Sequence, residues 1–134
     1  MKKIYLLSLV LVALFLNAEA QRLEELTAMV SSPVFKWDST TARVGKVKKD
    51  VPISVVFQFK NTGASPIIIS KVAPSCGCTA AEYTKDPVYP GQEGFVKATY
   101  NAKTLGSFNK SVTVTSNIEG VPITLYLQGE VIAE

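Results

Sequence analysis

The sequence of 134 residues contains no histidine, which removes the usual general base at neutral pH and the commonest metal ligand. Serine–histidine and cysteine–histidine catalytic arrangements go with it. No glycine-rich phosphate cradle is present either: Gly91 and Gly94 are too few, and no lysine stands where such a loop needs one. Charge is also scarce, at a formal net +3, so nothing favours nucleic acid or an anionic membrane as partner. Lys46, Lys48 and Lys49 are the one basic cluster, and Asp50 directly after them marks it as a solvated turn. The carboxylate pairs Glu24–Glu25 and Glu82–Asp86 lie in polar segments and read as solvated acids, not as a hydrolytic dyad. No cofactor is implied. Enzymatic chemistry would rest on the only two cysteines, Cys76 and Cys78.

What is present begins with MKKIYLLSLVLVALFLNAEA. Lys2 and Lys3 precede an apolar run from Ile4 to Leu16, and small residues close it at Ala18-Glu19-Ala20. This is the layout of a signal peptide over residues 1–20, with cleavage expected between Ala20 and Gln21. The run of about 13 apolar residues falls short of the roughly 20 that span a bilayer core, so no stable membrane insertion is expected after cleavage. No cysteine lies near the cleavage point, so the exported product is expected in the periplasm or outside the cell and not as a lipoprotein. Removing residues 1–20 would leave 114 residues and a formal charge of +2, enough for one domain. Residues 21–32, with Leu23, Leu26 and Val30 spaced for a short helix, are read as a lead-in, and residues 33–134 as the domain.

Apolar periodicity sets the fold class. In VPISVVFQF, Val51, Ile53, Val55, Phe57 and Phe59 alternate with more polar positions, Val56 excepted. In VPITLYLQGEV, Val121, Ile123, Leu125, Leu127 and Val131 do the same. A period of two is that of a half-buried strand. Further strands are expected at Val34–Trp37, Arg43–Val47, Ile67–Val72, Gly94–Tyr100 and Phe108–Thr115. Turn chemistry separates them at Asn61-Thr62-Gly63, Tyr89-Pro90-Gly91, Leu105-Gly106 and Asn117 to Gly120. About seven short strands without helical periodicity point to an all-β, antiparallel sandwich. Phe35, Trp37, Phe57, Phe59 and Tyr100 are expected to pack its sheets.

The segment APSCGCTAA admits four readings. In an extended strand, Cα atoms at i and i+2 lie about 6.6 Å apart with their Cβ atoms at a similar separation, beyond the roughly 3.8 Å of a disulfide. A bridge would need a bend at Gly77, which glycine supplies by tolerating positive φ, with Pro74 and Thr79 supporting the turn. Closing so small a loop contributes only about 1.6 kcal/mol in the chain-entropy model. Export favours this structural bridge. Two inert thiols, a thiol–disulfide switch and a Cu(I) site on the two sulfurs remain open; zinc lacks the further ligands it would need.

Phe57-Gln58-Phe59-Lys60-Asn61-Thr62-Gly63, Pro66-Ile67, Ser75-Cys76-Gly77-Cys78-Thr79, Pro90-Gly91, Gly106, Phe108, Lys110, Ser116-Asn117 and Leu127-Gly129-Val131 together resemble a bacterial family of unknown function. Its members look like small exported immunoglobulin-like domains related to the Hydin-like and major-sperm-protein-like sandwiches. The likeness spans about residues 33 to 132. It implies an immunoglobulin-like β-sandwich and brings no activity. The expectation is a non-enzymatic envelope domain that binds or scaffolds an envelope protein or glycan through a sheet edge or its end loops. Asp38-Ser39-Thr40 further resembles an O-glycan acceptor of Bacteroidota-type bacteria.

Overall fold

The computed structural model describes all residues except Met1, Ser31, Glu119, Val121 and Glu134, and the side chains of residues 25–30 also lie outside it. Val121, expected inward, and the side chains of Leu26 and Val30 fall in those gaps. Residues 1–32 and 33–134 form two separate units. In the first, a single helix, α1 (Lys2–Val30), runs without a break through Ala20 and Gln21. Its stretch Lys2–Glu24 is long and apolar enough to cross a membrane by length and composition, a test that a signal sequence near an N-terminus also passes. The apolar helix thus extends further than the 13-residue run read from the sequence, and it fits a signal peptide.

The second unit is all-β. Its strands are β1 (Phe35–Trp37), β2 (Thr41–Lys48), β3 (Ile53–Asn61), β4 (Ile69–Pro74), β5 (Thr79–Tyr83), β6 (Glu93–Tyr100), β7 (Gly106–Ser116) and β8 (Ile123–Ile132). They form two four-stranded sheets, β1-β3-β6-β5 and β2-β8-β7-β4. Among the described residues the count is eight, and the addition is β5, which no strand signal announced because the interior Ala80-Ala81-Glu82 consists of residues depleted in strands. β5 pairs antiparallel with β6, and its residues Thr79, Ala81 and Tyr83 turn inward while Ala80 and Glu82 face solvent. The strand expected at Ile67–Val72 starts two residues later; Ile67 instead makes a two-bond bridge with Val88 across the loops.

One pair departs from the antiparallel expectation. β1 runs antiparallel to β3, with Phe35 opposite Asn61 and Trp37 opposite Phe59. The chain then crosses to the other sheet without reversing and continues as β2, so it meets β8 in parallel. The crossing is tied locally: the Ser39 hydroxyl donates to the Thr41 carbonyl at 2.8 Å, and the Tyr126 amide donates to the Thr40 carbonyl at 2.8 Å. Within β2 the register shifts between Arg43 and Lys46, and Gly45, at φ 70°, supplies the backbone that the bulge requires. Gly129 of β8 lies under that bulge, where a Cβ would come 2.7 Å from the Gly45 carbonyl oxygen and 2.8 Å from Phe108 and Val44.

Alternation delivers the core. Phe57 and Phe59 of β3, Val96, Ala98 and Tyr100 of β6, Val112 and Val114 of β7, and Leu125, Leu127 and Val131 of β8 are all buried. Phe35 and Trp37 are half-buried; they stack at 5.2 Å and pack on Phe59 at 4.8 and 4.9 Å. Val51 does not join the core. It follows Asp50, which sits at φ 62° in the β2–β3 turn, and remains 54% exposed.

Two positions hold the sandwich to close tolerance. Phe59 lies across from Gly94 in the β3–β6 register, and a Cβ at Gly94 would overlap its ring. Asn61, fully buried at the end of β3, closes the far-end loops. Its Nδ2 donates to the Ser65 and Val88 carbonyls at 2.7 and 2.9 Å, and its Oδ1 accepts the Gly63 amide at 2.9 Å. Gly94→Ala is expected to lower stability by about 1–3 kcal/mol through overpacking. Asn61→Ala should cost about 1–3 kcal/mol by removing three side-chain hydrogen bonds at the buried end of β3. Urea unfolding of each variant, with an unchanged slope and a lower midpoint, checks both values.

Candidate functional site

At one end of the sandwich three loops meet. The β4–β5 loop carries Ser75 to Cys78, the β2–β3 turn carries Lys49 to Pro52, and the β6–β7 loop carries Asn101 to Leu105. The Asn101 amide donates to the Cys78 carbonyl at 3.0 Å, and the Asp50 amide donates to the Ala102 carbonyl at 3.0 Å. Ala102 is fully buried at φ 53°, so the two non-glycine residues with positive φ among the described residues are joined by one hydrogen bond. Such backbone costs on the order of 1 kcal/mol per residue and persists where its surroundings fix it. Val51 and Leu105, each 54% exposed, stand in these loops beside Lys49 and Lys103.

The cysteine loop is built by its two flanking strands. Pro74 ends β4 opposite Val112, and Thr79 opens β5 opposite Tyr100. Between them the Ser75 amide donates to the Ser111 carbonyl at 2.8 Å, while the Ser75 hydroxyl accepts the Ser111 amide at 3.2 Å. The Thr79 amide then reaches back to the Cys76 carbonyl at 3.3 Å, closing a four-residue turn over Cys76-Gly77-Cys78-Thr79. The turn draws the two Cα atoms to 5.3 Å and joins Cys76 to Cys78 in a disulfide. Gly77 is not among the residues with positive φ, and a Cβ built on it meets nothing within 4 Å. The bend therefore needs no left-handed glycine, which corrects the sequence expectation; an ordinary turn of this hydrogen-bonded kind accepts most residues.

Thr79 is buried, and its hydroxyl lies 3.6 Å from the Cys76 sulfur and 4.0 Å from that of Cys78. Cys76 and Cys78 are half-buried, and Cys78 packs against the cluster of Tyr100, Ala102, Phe108, Leu127 and Val131. Cys78 thus rests on the core, while both cysteine residues stay partly exposed. Glu82 and Asp86, the carboxylates nearest in sequence, do not join them: Glu82 faces solvent opposite Lys97, and Asp86 lies exposed in the loop after β5. Among the described residues no three of His, Cys, Asp and Glu gather as metal ligands would. Ser39 and Thr40 are exposed at the crossing between sheets, where the Ser39 hydroxyl is engaged with Thr41.

Sequence reasoning found the cysteine loop and missed its neighbours. The positive φ at Ala102 leaves no mark in the residue type, since alanine rarely adopts it, whereas Asp50 belongs to the turn read from the basic cluster. Leu105 was read only as part of a turn.

The family model described as "Protein of unknown function (DUF1573)" matches residues 35–131. No curated protein sequence matches the chain. A solved protein of unknown function from Porphyromonas gingivalis W83 superposes with a TM-score of 0.66 at 15% identity, over 76% of this chain and 48% of that one. This chain therefore spans about half the length of that protein. The ASH/PapD-like domain 7 of human CEP192 superposes with a TM-score of 0.60 at 9% identity, over 75% of this chain and 86% of that one. The VesB protease of Vibrio cholerae gives 0.57 at 14% identity, but over only 31% of its own chain. At these identities the likeness is one of fold, an immunoglobulin-like or PapD-like sandwich.

Gly77→Ala is expected to leave the fold and the sulfur contact intact, with stability unchanged or raised by about 0.4–1 kcal/mol through a less flexible unfolded chain. Urea unfolding beside Gly94→Ala separates a tolerant glycine from an intolerant one.

Proposed function

The chain belongs to the DUF1573 family, and on that premise we propose that it is an exported, non-enzymatic envelope domain that binds or scaffolds a partner through the loop end bearing Cys76 and Cys78. One observation carries this reading. Three loops are fixed to one another by the Asn101–Cys78 and Asp50–Ala102 hydrogen bonds, and the surface they fix exposes Val51 and Leu105. Rigid loops with exposed apolar residues suit recognition, because little ordering remains to be done on binding. The kinship to Hydin-like and major-sperm-protein-like sandwiches, the mark Ser75-Cys76-Gly77-Cys78-Thr79 and removal of residues 1–20 after Ala20 belong to the same reading. The partner is an envelope protein or glycan.

In this account the Cys76–Cys78 bridge is structural and local. It fixes the turn that presents the loop, and it contributes little to global stability because the closed loop is so short. A second reading, thiol–disulfide exchange at these sulfurs, draws on their half-exposure. A reduction potential below about −300 mV, at which a bridge resists exchange, would count against it. Cu(I) carriage by the reduced sulfurs requires tight binding against a competing chelator.

The double variant Cys76→Ser with Cys78→Ser is expected to stay folded and to lose no more than about 1.6 kcal/mol in urea unfolding. Complete unfolding would contradict a local role. For the binding surface, a photo-crosslinking residue placed at Leu105 or Val51 in cells should yield a discrete adduct of higher mass, and the same residue at Lys71 should not. Absence of adducts from both loop positions would remove the reading.

A further inference from the structure

We propose that the open half of β3 is a docking edge for an extended peptide strand with acidic flanks, an inference that rests on the binding reading and names a second surface for it. β1 covers β3 only from Phe59 to Asn61, and the last bond on that side is the Asp38 amide to the Gln58 carbonyl at 3.1 Å. Beyond it the chain crosses to the other sheet. Backbone polar groups alternate sides along a strand, so those of Val56 and Ser54, two and four residues before Gln58, face the same uncovered side. Among the described residues no strand pairs with them there; β6 takes the opposite side.

Across the opening stands β2, which pairs with β8 on one side and, among the described residues, with no strand on the other. The two bare edges bound a groove of about 400 Å³, with Ala42, Val44, Val55 and Phe57 as apolar walls and Arg43 and Asp38 at its rim. The uncovered stretch from Ile53 to Phe57 is about 16 Å long, the length of a five-residue strand. A strand laid beside it would take hydrogen bonds from Ser54 and Val56. It would drop alternate side chains into the groove and set the others beside Val56, which is 50% exposed.

Charge selects the occupant. Arg43, Lys46, Lys48 and Lys49 are exposed along β2 and its end, against Asp38 and Asp50. Acidic residues flanking the incoming strand would be attracted to this edge. A second copy of the chain would bring two cationic edges together, the arrangement by which lysines on an edge discourage self-pairing. The occupant is therefore a different chain.

The test uses the chain starting at Gln21, which keeps the whole unit from Pro33 onward with its own core. The probe is a decapeptide of alternating Val and Thr with two Glu at each end. It is expected to bind saturably and to slow hydrogen exchange at the Ser54 and Val56 amides. Arg43→Glu should weaken binding about tenfold, as should Lys in place of the probe's Glu. Methylation of alternate backbone nitrogens in the probe should abolish binding, since it removes the strand's donors without altering the protein. Binding indifferent to methylation, unprotected Ser54 and Val56 amides, or a peptide-free dimer protecting those same amides would each overturn the proposal. A chain that keeps an adduct at Leu105 or Val51 but does not bind the probe overturns the edge alone; absence of adducts at both loop positions overturns the broader binding reading.

Discussion

The passage of the chain from one sheet to the other between Asp38 and Thr41 is the constraint on which the sandwich most depends. Before it, β1 covers the end of β3 and brings Phe35 and Trp37 onto Phe59. After it, β2 supplies the outer strand of the second sheet and places its bulge over Gly129. The same few residues therefore contribute to both sheets and tie them at one side, with the Ser39 and Thr40 hydrogen bonds fixing the turn. The crossing also has a cost. It leaves the first half of β3 uncovered, and Ile53 and Val55 are only half-buried where Phe57 and Phe59 are buried. Folding and exposure of an unpaired strand edge thus follow from one event in the backbone path.

The two ends of the sandwich are held differently. At one, buried Asn61 gathers the loops around Ser65 and Val88 through its side-chain amide, in a network with both its nitrogen and its oxygen engaged. At the other, backbone bonds between loops do the work, with Asp50 and Ala102 in the left-handed region and the cysteine turn beside them. Strained backbone is a costly way to shape a surface if the surface serves only to close a core. That contrast is why the binding reading is assigned to the cysteine end.

Much of the fold was legible because a period of two is written plainly in β3, β6, β7 and β8, where Phe57, Val96, Val112 and Leu125 all point inward as their spacing requires. Glycine and proline marked the turns well. β5 was not legible, since two alanines give no strand preference, and its place is set by pairing with β6. The parallel β2–β8 pair could not be read either, for it depends on where the chain crosses and not on residue type. At the candidate site the pairing of Cys76 with Cys78 was legible as one of four readings, but the bend was assigned to glycine's conformational freedom when a hydrogen-bonded turn with ordinary φ supplies it. Val51 was assigned to the core by extending the alternation two residues past the strand's true start.

The account turns on the cysteine loop as a fixed element of a recognition surface and not as a reacting centre. The most direct measurement is the oxidation state of Cys76 and Cys78 in the cell, trapped by alkylation before the protein is unfolded and read by intact mass at several stages of growth. The account predicts a single species with neither sulfur alkylated at every stage. A fraction that carries two alkyl groups and varies with conditions would contradict it and assign thiol–disulfide exchange to this loop.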